Sequence, residues 1–82
     1  MSIQSSTQID IQQGEFVQAL VSVLKRLRRA SDGGFRAMYY GMALGYVSLA
    51  FRLGLIGWAQ YERLSDLAMN AADYAQREAR HA

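Results

Sequence analysis

Residues 37–51 read AMYYGMALGYVSLAF, and none of them carries a charge. On a helical wheel the apolar side chains of this segment point in every direction, which predicts a helix that is hydrophobic around its whole circumference. Such a helix has to be covered on all sides by its own chain, by a second copy, by another partner or by lipid. With 82 residues, the chain has little else to cover it.

The composition narrows the class of protein. A chain of 82 residues forms one small domain, and its 51% hydrophobic content argues against global disorder. The absence of proline favours helix. The absence of cysteine excludes disulfides, thiolate chemistry and cysteine metal ligands, and it fits a cytoplasmic location.

The segment before the apolar helix predicts a polar arm and an amphipathic helix. Residues 1–9 are rich in Ser and Gln and are expected to form a flexible N-terminal arm. Helix one, about residues 11–30, should begin after Asp10 as N-cap, with Gln13 as its capping-box partner. Its apolar residues recur at steps of three and four: Phe16, Val17, Leu20, Val21, Leu24 and Leu27. Gly33 and Gly34 predict a turn after it.

The remainder predicts two more helices joined by a tight corner. Helix two should cover about residues 35–53 and helix three about residues 58–79. Gly54 is suited to the left-handed position that ends a helix, and Gly57 to an N-cap. We expect Trp58 and Tyr61 to open an inward-facing stripe on helix three. The chain is therefore predicted to be an all-α three-helix bundle, residues 10–82, with a helix–turn–helix corner at Gly54–Gly57.

Two neighbouring helices cover only part of helix two, so we expect a further partner, most simply a second copy in a homodimer. Tyrosine and methionine are enriched at protein interfaces. The candidate interface is the set that crowds the first half of helix two: Met38, Tyr39, Tyr40, Met42 and Tyr46. The alternative is that these residues are ordinary core.

A local basic patch is the second candidate site. It comprises Lys25, Arg26, Arg28, Arg29 and Arg36. These cations are suited to nucleic-acid phosphates or to a charged rim facing an acidic protein surface. They also complement the dipole at a helix C-terminus, which is a purely structural role.

Few residues are suited to catalysis or metal binding. The single histidine, His81, is the second-last residue, where no Ser-His-acid set can form around it. Glu62 and Asp66 lie four residues apart without a third ligand. We therefore expect no catalytic residue, no metal and no cofactor. The apolar segment is also shorter than the roughly 20 residues that a membrane span needs.

The corner GLIGWAQYERL, residues 54–64, resembles the short helical corners of small proteins carried by phages and other mobile elements. In size and helical character the chain is similar to anti-defence inhibitors such as anti-CRISPR proteins. The resemblance implies a non-enzymatic protein-binding module that inhibits or regulates a larger host assembly by occupying its surface. The alternative is a small nucleic-acid-binding regulator that uses residues 25–36.

Overall fold

The computed structural model describes the backbone of residues 2–81 and the side chains of residues 11–80. It contains three α-helices: α1, Ser2–Arg29; α2, Gly33–Arg52; and α3, Trp58–His81. Each helix packs against the other two, which confirms the predicted all-α three-helix bundle. Because both connections are short, α1 and α3 run in the same direction and α2 runs against them.

All three helices and the corner contribute to a small apolar core. Its buried residues are Leu20, Val23, Leu27, Ala43, Val47, Ala50, Leu55, Ile56, Ala68, Ala71 and Ala75. Val17 and Val21, predicted to face inwards, are 53% and 43% exposed, whereas Val23 is buried. The reason is that α1 has neighbours on one side only, so it buries a narrower stripe than its apolar sequence suggested.

Helix α1 begins at Ser2, so the helix includes the segment expected to be a flexible arm. Residues 2–13 contain neither glycine nor proline, and nothing in them interrupts helical hydrogen bonding. The side chain of Asp10, the expected N-cap, lies outside the described residues. The amide of Gln13, its expected partner, instead donates from Nε2 to the carbonyl oxygen of Leu55 at 2.7 Å. This bond fastens α1 to the corner between α2 and α3.

Helix α2 begins at Gly33, earlier than the predicted Phe35, because Asp32 is its N-cap. Asp32 Oδ1 accepts hydrogen bonds from the backbone N–H groups of Gly34 at 2.7 Å and Phe35 at 3.1 Å. These bonds satisfy donors that the first turn of a helix leaves unpaired. The two glycines therefore belong to the first turn of α2 and do not form a separate turn.

The corner at Gly54–Gly57 has the predicted geometry. Gly54 has a φ of +74°, its N–H donates to Phe51 O at 3.1 Å, and the N–H of Leu55 donates to Ala50 O at 2.9 Å. This pair of bonds is the Schellman motif, which ends a helix with a left-handed residue. Gly57 then precedes α3, where its N–H donates to Gln60 Oε1 at 2.9 Å.

Trp58 is the exception at this corner. It was predicted to face the core, but 60% of its surface is exposed. Its ring stacks on Tyr61 at 5.3 Å and meets the edge of Phe51 at 5.8 Å. Trp58 is the first residue of α3, so it lies at the end of the bundle, where no helix is left to cover it.

Candidate protein-interaction surfaces

The side of α2 that faces away from α1 and α3 is apolar and uncovered. We call it the outer face of α2. Its large side chains are Phe35, Met38, Met42 and Leu49, together with Leu53 at the C-cap, with exposed fractions of 55%, 46%, 37%, 54% and 65%. Gly41 and Gly45 lie among them, and a Cβ atom added to either glycine would have no neighbour within 4 Å. Exposed apolar side chains grouped in this way mark interaction sites.

The packing of the bundle explains why this face is uncovered. Both neighbouring helices pack against one side of α2, where Ala43 and Val47 are fully buried and Ala50 is 2% exposed. The opposite side therefore meets solvent, although its sequence is as hydrophobic as the buried side. Going along this face from the start of α2, the first charged residue is Arg52, in the last turn.

The predicted interface residues divide between the two sides of α2. Met38 and Met42 lie on the outer face. Tyr39, Tyr40 and Tyr46 are half-buried and pack against the core cluster. Phe35, Leu49 and Leu53 were not among the predicted interface residues. Their spacing in the sequence could have identified them, because Phe35 and Leu49 each lie seven residues from Met42, and Leu53 lies four residues after Leu49.

The predicted basic patch also divides. Lys25, Arg26, Arg28 and Arg29 are exposed on the last turns of α1, and the guanidinium of Arg28 lies 4.6 Å from the ring centroid of Tyr74. Arg36 is half-buried, and its Nη1 donates to the carbonyl oxygens of Ser31 at 2.7 Å and Ala30 at 3.4 Å. Arg36 therefore closes the connection between α1 and α2, and four cations remain at the surface of the patch.

Helix α3 adds two cations that were not among the predicted residues of the basic patch. Because α3 runs parallel to α1, its last turns lie beside the last turns of α1, and Lys25, Arg28 and Arg29 share a surface with Tyr74 and Glu78. Residues 25–36 and 73–80 together form what we call the basic end of the bundle. It holds seven cationic side chains (Lys25, Arg26, Arg28, Arg29, Arg36, Arg77 and Arg80) and three carboxylates (Asp32, Asp73 and Glu78). Positive charge is thus concentrated at one end.

A shallow groove separates α1 from α3 beside the basic end. It has a volume of about 300 Å³, and Leu24, Leu67 and Ala71 supply apolar walls. Arg28, Tyr74 and Arg77 also line it. The apolar walls of the groove therefore lie beside the cations of the basic end.

Within residues 11–80, no three His, Cys, Asp or Glu side chains come together in a way that could hold a metal ion. None of the three helices, over the part of the chain that is described, is both long and apolar enough to cross a membrane. Comparison with protein-family models, with characterised proteins and with solved structures found no significant match.

Proposed function

We propose that this chain is a non-enzymatic protein-binding module that inhibits or regulates a larger assembly in the cytoplasm by occupying its surface, as anti-CRISPR proteins do. The outer face of α2 is the apolar contact surface. The basic end supplies a charged rim that steers the module towards an acidic surface of that assembly.

The exposed outer face of α2 is the observation that carries this proposal. Five large apolar side chains on one helix face are each more than a third exposed. Water contact with such a face is unfavourable by about 25 cal/mol for each Å² of apolar surface, so covering it stabilises a complex. Its centre is apolar and its charges lie at the end of the bundle, which is the distribution typical of protein interfaces.

A matched pair of variants tests the role of this face. Leu49 on α2 and Met69 on α3 have exposed fractions of 54% and 46%, so Leu49→Glu and Met69→Glu introduce the same charge at comparable exposure. We expect the immobilised wild-type and Met69→Glu proteins to capture the same host assembly from a lysate, quantified by mass spectrometry. Leu49→Glu should lose it while keeping its helical circular dichroism. Equal capture by both variants would contradict the proposal.

Nucleic-acid binding is the second candidate function, and the concentration of cations at the basic end favours it. Lys and Arg side chains that release counterions from phosphates give an affinity that falls steeply with salt. We expect a mobility shift at low salt that disappears in the Arg26→Ala/Arg29→Ala variant. The control is Arg52→Ala/Arg63→Ala, which removes the same charge from residues outside the basic end. If both pairs of substitutions weaken binding equally, the basic end is not a specific surface.

A further inference from the structure

We propose that a second copy of this chain covers the outer face of α2, with the two α2 helices packed antiparallel about a two-fold axis. This inference rests on the proposed function, because it concerns the same outer face of α2. The second copy covers the face while the chain is free, and the target assembly displaces that copy on binding.

The spacing of residues on the outer face is the first argument. Phe35, Met42 and Leu49 are seven residues apart, and Met38 and Gly45 repeat the same interval three residues later. A seven-residue repeat with this offset is the pattern by which two helices pack along a shared seam. The repeat lies on the exposed side of α2, so it is not explained by packing within the bundle.

The pairing of large with small side chains is the second argument. When two α2 helices cross antiparallel between Ala43 and Leu44, Met42 faces the partner's Gly45, and Met38 faces the partner's Leu49. Gly45 has no atom within 4 Å of an added Cβ, so it leaves a depression open to the partner's Met42. The two-fold axis repeats both matches, so the face is complementary to itself.

Charge is the third argument, and it selects the antiparallel orientation. A parallel pair would place Arg52 beside the partner's Arg52 and Gly45 beside the partner's Gly45, giving repulsion at one layer and a void at another. The antiparallel pair places the two Arg52 side chains at opposite ends of the seam, so this repulsion does not arise.

The size of the seam sets the expected strength. From Phe35 to Leu53 the chain rises about 27 Å, and a strip of that length and about 10 Å wide covers roughly 270 Å² of each copy. Stable interfaces cover at least about 600 Å² of each partner, so this seam is small. We therefore expect a dimer that dissociates on dilution.

Disulfide trapping tests both the pairing and its orientation, because the natural chain has no cysteine. Met38→Cys and Leu49→Cys proteins are mixed in a glutathione redox buffer, and intact mass distinguishes the products. The antiparallel seam predicts a Met38→Cys/Leu49→Cys heterodisulfide well above the half expected from random pairing. The controls are Met69→Cys and Leu67→Cys on α3, whose parent side chains are 46% and 48% exposed. This control mixture should show only background cross-linking.

Homodisulfides of each single variant in excess would show a parallel pair and overturn the proposal. Cross-linking no greater than in the α3 control mixture would also overturn it. Light scattering provides a measurement without substitutions on the seam: at high concentration the mass should approach twice the 9.2 kDa of the chain. Leu49→Glu should be monomeric, whereas Met69→Glu should behave as the wild type.

The two proposals fail in different ways. If the protein is a monomer but Leu49→Glu still abolishes target capture, another protein binds the outer face of α2, and only the self-pairing is wrong. If the antiparallel heterodisulfide forms but Leu49→Glu leaves target capture unchanged, self-pairing stands and the proposed function is wrong.

Discussion

Replacement of Gly54 by alanine tests how the corner between α2 and α3 is held. Gly54 has a φ of +74°, and an added Cβ would have no neighbour within 4 Å. Steric clash with other side chains therefore contributes nothing, and the effect of the substitution comes from backbone conformation alone. An L-residue in the left-handed region costs about 1 to 2 kcal/mol.

Alanine also restricts the unfolded chain, which offsets that cost by about 0.4 to 1 kcal/mol. We therefore expect Gly54→Ala to lower the free energy of unfolding by about 1 kcal/mol. For a domain of this size, that loss lowers Tm by about 4–8 °C. Gly54→Asn should lose less, because asparagine tolerates the left-handed region better than alanine does.

Gly14→Ala is the matched control. Gly14 also has open space around an added Cβ, but it lies inside α1 without a positive φ. The same change there should raise the free energy of unfolding by about 0.5 to 1 kcal/mol, because alanine is the better helix former. Thermal unfolding followed by circular dichroism, at one protein concentration, measures both variants. A Gly54→Ala protein as stable as the wild type would refute the requirement for a left-handed residue at the corner.

Three further substitutions test the contacts that hold the helices together. Leu27 is fully buried, so Leu27→Ala should lower the free energy of unfolding, measured by urea titration, by about 2 to 5 kcal/mol. A loss below about 1 kcal/mol would contradict its place in the core. Asp32→Ala removes the N-cap of α2 and should cost about 1 kcal/mol, whereas Ser31→Ala beside it should have little effect. Gln13→Ala leaves Leu55 O without its donor and should lower the free energy of unfolding by about 1 kcal/mol. An unchanged denaturation midpoint would show that this bond does not stabilise the docking of α1.

Local features of the fold could be predicted from the sequence. The corner depends on Gly54 and Gly57 and on their immediate neighbours, so nearby residues were sufficient to recognise it. The start of α2 was also encoded locally, but the carboxylate of Asp32 outweighs the tendency of Gly33 and Gly34 to break a helix. The propensity of the paired glycines, taken without the cap, predicts a turn.

Features that depend on the arrangement of helices could not be predicted in this way. A helix that is apolar around its whole circumference gives no signal of which side faces inwards. Tyr40 and Met38 were therefore equivalent in the sequence. In the structure Tyr40 packs against the core, whereas Met38 is exposed. Arg77 and Arg80 join the basic end only because α3 runs parallel to α1, and that depends on the path of the whole chain. The carbonyl contacts of Arg36 likewise require the turn to be formed first.

Because the inner side of α3 consists largely of alanine beyond the corner, the local stability of the bundle decreases along this helix. Near the corner, Leu55 and Ile56 bury large side chains, while further along α3 the buried residues are Ala68, Ala71 and Ala75, with little area to release on separation. The far half of α3 should therefore detach at a lower free energy than the corner, and amide hydrogen exchange should be fastest there. Local opening of this kind would move Arg77 and Arg80 while the corner stays folded.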